Sequence, residues 1–97
     1  MIIEYEIRDN IDNGRIFRTG MAPYYTSIHQ DKLSALKEAR KILLDKSVGK
    51  DKLYVTRSEY ADQEKRNKDF CIVRSLVWSD WFHGIDMLEK MIKGMEK

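Results

Sequence analysis

The chain opens on a strict alternation. Ile3, Tyr5 and Ile7 are separated by Glu4, Glu6 and Arg8, the period of two that sends apolar groups to one face of a strand and polar groups to the other. The polar set predicts a solvated face. Asn13 and Gly14 follow, and this pair suits a type I′ turn because both central positions need positive φ. A two-residue turn there sets Ile11 opposite Ile16 and Asp9 opposite Arg18, an apolar pair and an ion pair on one face of a hairpin. Residues 20–30 read as a loop, in which Tyr24 to Ile28 can extend the second strand after a break at Pro23.

At Asp31 the period changes. Leu33, Leu36, Ala39 and Leu43, flanked by Ala35 and Ile42, form one apolar stripe at helical spacing as far as Lys46. Asp31 is a capping residue for its start, Ser27 with Gln30 is a competing capping box, and Gly49 is a terminating residue. Leu53 to Tyr60 and Phe70 to Trp78 are rich enough in β-branched and aromatic residues to be strands, joined by the polar linker 61–69. Ser79 or Asp80 caps a second long helix whose stripe is Phe82, Ile85, Leu88, Ile92 and Met95; Gly84 weakens that helix by about 1 kcal/mol relative to alanine.

The order strand, strand, helix thus occurs twice, ββαββα. If each helix turns back along the strand before it, the third strand runs antiparallel to the first. The sheet order is then 2-1-3-4, and both helices cover one face. The expected fold is an α+β two-layer sandwich with a four-stranded antiparallel sheet. The 97 residues make one domain, 1–97, able to bury roughly 60–65% of its unfolded surface without a metal or disulfide staple.

The fourth strand stands out in this arrangement. Phe70, Ile72, Leu76 and Trp78 share one face by alternation and Cys71, Val73 and Val77 the other, so it is apolar on both sides. As the outer strand of a sheet covered on one side only, it predicts an exposed apolar patch or an edge joined by another strand. Residues 77–84 add both tryptophans and His83. Trp81, one residue off the helical stripe, is expected outside the core and Phe82 inside it. The expected partner-binding residues are Phe70, Ile72, Trp78, Trp81 and His83, with Tyr24 and Tyr25 at the opposite end of the sheet.

Charge and chemistry narrow the functional classes. Eighteen basic and 16 acidic residues leave a net charge of +2 and are closely interleaved, so no segment is a nucleic-acid arm. Lys65, Arg66 and Lys68, with Arg57 and Arg74 on the flanking strands, are the best phosphate-contacting set, in the manner of a β-ribbon. Glu59, Asp62, Glu64 and Asp69 in the same hairpin counter them.

Cys71 is the single cysteine; its apolar neighbours predict a buried, inert thiol and a reducing, cytoplasmic setting. His29 and His83 with one cysteine fall short of the four soft ligands of a structural zinc site, so no metal is expected. No nucleophile elbow is present, and the glycines at 14, 20, 49, 84 and 94 make no phosphate loop. No run of 18 apolar residues occurs, and the chain starts on a strand pattern with acidic residues, so neither secretion nor membrane spanning is expected.

The expectation is a small, non-enzymatic protein-binding or regulatory module without a cofactor, self-associating as a homodimer. An inhibitor of a larger protein, of the kind phages and mobile elements carry, is one specific form of it. The alternative is a small nucleic-acid-binding protein using the basic hairpin 57–74.

Overall fold

Strands β1 (Ile2–Asp9), β2 (Ile28–His29), β3 (Leu53–Tyr60) and β4 (Val73–Ser79) pair antiparallel in the order β2-β1-β3-β4. The computed structural model describes residues 1–10, 14–16, 25–45 and 52–96. Helices α1 (Lys32–Leu44) and α3 (Gly84–Met95) pack together, and a short helix, α2 (Gln63–Asn67), forms inside the stretch that reads as a polar linker. The α+β class and the strand order are those expected when each long helix turns back along the strand before it.

Ile7, Val55 and Trp78 form one row across β1, β3 and β4. They join Leu36, Ala39 and Ile42 of α1 and Leu88 and Ile92 of α3 in a single buried cluster. Burying a side chain of this size contributes about 1.5–3 kcal/mol, so the apolar stripes decide which sheet face the helices take. Arg40 with Glu89 (3.2 Å) and Lys37 with Glu96 (3.0 Å) clip α1 to α3 at the surface, where such pairs add little. Asp31 wins the competition to cap α1: its Oδ1 accepts from the Ser34 backbone N–H at 3.2 Å, and its Oδ2 from the Ser34 hydroxyl at 2.7 Å. Gly49 lies outside the described residues.

The first hairpin departs from the two-residue turn. Arg8 faces Arg15, where that turn would bring Thr19, and the Asp9 N–H donates to the Gly14 carbonyl at 3.0 Å. The Ile16 N–H bonds the Ile7 carbonyl at 3.1 Å, and both side chains are in the core. Burial of Ile16 thus sets the register against local turn preference. Ile11, Asn13 and Arg18 are outside the described residues. Further along the same side of β1, β2 pairs His29 with Tyr5 and Ile28 with Glu6.

A second departure lies in β4. Val55 faces Trp78 but the next residue, Thr56, faces Leu76, so Val77 is the extra residue of a β-bulge. A bulge reverses the alternation beyond it. Trp78 therefore turns into the helix-covered core, whereas Leu76 stays on the opposite face with Thr56 and Glu6; the two do not share a face as plain alternation expects. Strand pairing also starts later than expected, at Val73, so Cys71 precedes the strand and is half-buried, contrary to the fully buried thiol expected of it.

The third departure is the entry to α3. Ser79 caps a turn and not the helix: its hydroxyl accepts from the Phe82 N–H at 3.2 Å, and its carbonyl from the His83 N–H at 2.9 Å. The helix begins only at Gly84, with His83 at the cap position and no side-chain cap bond. That delay leaves Phe82 78% exposed, where the stripe had placed it in the core. Gly84 has φ of +79°, a conformation that side chains with a Cβ resist. It is the residue the turn requires, not a weak point of the helix. Among the described residues no helix is long and apolar enough to cross a membrane.

Nothing lies within 4 Å of a Cβ built on Gly84, so replacement meets backbone strain alone. Gly84→Ala is expected to lower stability by about 1–2 kcal/mol, read as a shifted midpoint in urea denaturation. An unchanged midpoint would show that the turn tolerates an ordinary φ.

Candidate functional site

The sheet face away from the helices carries Glu4, Glu6 and Arg8 of β1 opposite Ser58, Thr56 and Tyr54 of β3, with Arg74 and Leu76 of β4 in the same rows. Alternation predicts that this polar face is solvated. Instead Glu6 is fully buried and Glu4 and Arg8 nearly so. The cover is the linker: Arg66 of α2 donates from Nε to Glu4 Oε2 at 2.9 Å, and Asp69 reaches the arginines beside Glu6.

Around Glu6 the groups are densely matched. Its carboxylate accepts from the Ser58 hydroxyl and, at 2.9 Å, from the Tyr60 hydroxyl. It pairs with Arg15 and lies 3.5 Å from Arg8 and 3.7 Å from Arg74. Asp69 accepts from the same three guanidinium groups, Arg8 at 3.1 and 3.2 Å, Arg15 at 3.2 Å and Arg74 at 2.8 Å. The Tyr60 oxygen is also 2.9 Å from Asp69 Oδ1, and Arg15 (3.0 Å) and Arg74 (3.2 Å) donate to it. Its one proton serves one carboxylate at a time. Burial, then the contacts with Glu6 and Asp69, push the Tyr60 phenol pKa up, so that proton is retained. Burial opposes ionisation of Asp69, but the Tyr60 hydrogen bond and the charges of Arg8 and Arg74 outweigh it and hold the carboxyl below its ordinary 3.8.

Asp69 owes its position to the end of α2. The Phe70 N–H bonds the Lys65 carbonyl at 2.9 Å and the Asp69 N–H the Arg66 carbonyl at 3.1 Å, the two bonds of a Schellman motif. Its left-handed residue is Asp69, with φ of +58°. Glycine is the usual occupant; an aspartate there supplies the carboxylate that the arginines need. Nothing in the local pattern of the linker announces this, because the partners lie up to 61 positions away.

The edge of β4 is a different kind of surface. Ile72 (64% exposed), Val73 (43%) and Leu76 (50%) lie on or beside it, Phe70 (62%) precedes it, and Trp81 (48%) and Phe82 (78%) follow. Among the described residues no strand pairs with its outer side. Trp81 packs edge-on against Tyr54, with centroids 5.5 Å apart at 78°. Of the expected partner-binding residues, Phe70, Ile72 and Trp81 are therefore exposed in this region. His83 is half-buried and its Nδ1 accepts from the Ser79 N–H at 3.0 Å. Trp78 is enclosed in the core, where its indole N–H donates to the Gly84 carbonyl at 2.8 Å. Tyr25 is buried with its hydroxyl on Asp45, and Tyr24 is outside the described residues. Val73, Leu76 and Phe82 were not in the expected set; the bulge takes Trp78 from the face of Leu76 into the core, and the delayed helix leaves Phe82 at the surface.

The basic hairpin is largely internally neutralised. Arg57 meets Glu59 at 2.6 Å, Arg66 meets Glu4 at 2.9 Å, Lys68 meets Glu64 at 3.2 Å and Arg74 meets Asp69 at 2.8 Å; Lys65 is exposed. Arg57 and Arg74 also project to opposite faces, since Arg57 pairs with Tyr5 and Arg74 with Ser58. His29 borders an open depression of about 300 Å³ with Ser34, Lys37, Glu38 and Lys41. Among the described residues no group of three or more His, Cys, Asp or Glu side chains is placed to hold a metal ion. Comparison with protein-family models, with curated proteins and with solved structures finds no match.

Two outcomes follow from the buried cluster. Glu6→Ala leaves Arg8, Arg15 and Arg74 short of a buried counter-charge, and a loss of about 3–5 kcal/mol in chemical denaturation is expected. For Asp69, a folded pKa below the unfolded 3.8 means stability present above pH 3.8 and lost as pH falls through the folded value. Asp69→Asn, which tolerates left-handed backbone, is expected to be less stable than wild type at pH 7 and to lose less on acidification from pH 5 to 2. Parallel acid limbs for the two proteins would exclude Asp69 as a contributor.

Proposed function

We propose that this chain is a non-enzymatic protein-binding module whose contact surface is the outer edge of β4 with the turn 80–82. The observation that carries this reading is the exposure of Phe70, Ile72, Val73, Leu76, Trp81 and Phe82 along one border of the sheet. Isolated exposed apolar side chains are ordinary, but several gathered on and beside one unpaired strand favour an interaction surface. Aromatic residues dominate the energetics of such contacts, and three of the six are aromatic.

The buried polar cluster favours this reading over catalysis. Glu6 and Asp69 are both tied to arginines and to Tyr60, so neither carboxylate is poised to take a proton from a substrate. Nucleic-acid binding through the hairpin is less favoured, since Arg57, Arg66, Lys68 and Arg74 each carry an internal carboxylate partner.

Phe82 is the sharpest probe, because its exposure separates binding from folding. Capture from nuclease-treated cell extract is expected to retain a stoichiometric protein on the wild type and to lose it, at least tenfold, on Phe82→Ala with an unchanged melting temperature. Trp81→Ala should do the same with a small stability loss from its contact with Tyr54, about 0.5–1.5 kcal/mol. Retention that vanishes with nuclease, or that Lys65→Ala abolishes and Phe82→Ala does not, would transfer the function to the hairpin.

A further inference from the structure

We infer that the occupant of the β4 edge is a second copy of this chain, paired strand to strand about a two-fold axis at Leu76 to give one continuous sheet through both protomers. The inference rests on the protein-binding reading above and names its partner.

Three observations lead to it. The first is weak protection. Outer strands normally discourage pairing with shortness, proline, bulges or outward charge. At the other border β2 is two residues long, whereas β4 runs from Val73 to Ser79 with no proline and its one bulge, at Val77, leaves Val73 to Leu76 in regular pairing with β3. Its single charged residue, Arg74, is drawn over the open face by the Ser58 hydroxyl at 2.8 Å, Tyr60 at 3.2 Å and Asp69 at 2.8 Å. The one charge within β4 is thus engaged by the open face.

The second is self-complementarity. Leu76 is the middle residue of β4, with exposed Phe70 and Ile72 before the strand and the exposed Trp81 and Phe82 of the turn after it. Antiparallel pairing of two copies brings the start of one strand to the end of the other. Phe70 and Ile72 of one protomer then meet the Trp81 and Phe82 turn of its partner, twice over. Leu76 meets Leu76 at the axis on the open face. An isologous contact of this kind uses one patch for both partners, and the patch here is apolar at its centre and at both ends.

The third is size. From the exposed fractions of the six side chains, the patch offers roughly 600 Å² per chain, taking about 150–250 Å² for a whole aromatic residue. A standard stable interface takes about 800 Å² per partner, a figure within reach once backbone and polar neighbours are included.

The test is sedimentation equilibrium of the purified chain from about 1 to 100 µM, with Leu76→Lys and Ile72→Lys beside it. A wild-type dimer, monomeric variants and unchanged circular dichroism are the expected result. A wild type that stays monomeric at about 100 µM overturns self-pairing and leaves the protein-binding reading to the extract experiment; a dimer that both lysine variants retain also overturns it.

Geometry is tested separately, so that a misfolded variant does not decide the matter. Residues directly opposite in antiparallel strands have Cα atoms about 4.5–5.5 Å apart, within the span of a disulfide. Leu76→Cys in a Cys71→Ser background is expected to cross-link the dimer almost fully under mild oxidation, and Lys65→Cys in the same background to remain uncross-linked. Equal cross-linking at both positions, or none at 76 in a protein that sediments as a dimer, would place the axis elsewhere and overturn the pairing.

Discussion

The carboxylate of Glu6 is the constraint around which the open side of the sheet is arranged. A fully buried carboxylate is tolerated only when counter-charge and hydrogen bonds replace the water it has lost. This one draws Ser58 and Tyr60 from β3, Arg8 from its own strand, Arg74 from β4 and Arg15 from the returning side of the first hairpin. Three strands are thereby tied across a face that no long helix covers. Asp69 then offsets part of the guanidinium charge that Glu6 alone leaves in excess, and it reaches the arginines from the segment just after α2. The apolar layer holds α1 and α3 on one side; an ionic layer does the corresponding work on the other.

That ionic layer also shapes the edge. Arg74 is the one residue of β4 that could have guarded its outer side, and it is committed inward to Ser58, Tyr60 and Asp69. The bulge at Val77 then divides the remaining apolar residues, sending Trp78 into the core and leaving Leu76 outside. The inward commitment of Arg74 and the exposure of Leu76 are therefore two results of one arrangement. Replacing Arg74 would remove its hydrogen bonds to Ser58, Tyr60 and Asp69 and so loosen the cluster.

Much of the architecture was legible because its signals are local. The alternation of Ile3, Tyr5 and Ile7, the stripe Leu36, Ala39 and Ile42, and the apolar fourth strand each announce an element within a short window, and the return of each long helix sets the strand order. The departures involve competition across distance. Ile16 pairs with Ile7 and both are buried, a register other than the one a two-residue turn at Asn13 and Gly14 implies. Glu4 and Glu6 look like a wet face until α2 and Asp69 cover them. The bulge at Val77 and the turn that ends at Gly84 insert residues into otherwise regular periods; the first moved Trp78 from the expected contact surface into the core, and the second moved Phe82 from the expected core to the surface. The edge itself was readable from strand 4 being apolar on both sides; the residues that line it were only partly so.

Asp69 shows why local preference and global requirement need not agree. Its φ of +58° closes the end of α2 in a position that glycine fills at least conformational cost. A glycine there would ease the backbone and leave Arg8, Arg15 and Arg74 facing one carboxylate in place of two. The aspartate accepts a small backbone penalty for contacts with three arginines and Tyr60. Because Phe70 follows it directly, the residue that fixes the ionic layer also fixes where the apolar edge begins, and the placement of one patch is set by the charge balance of the other.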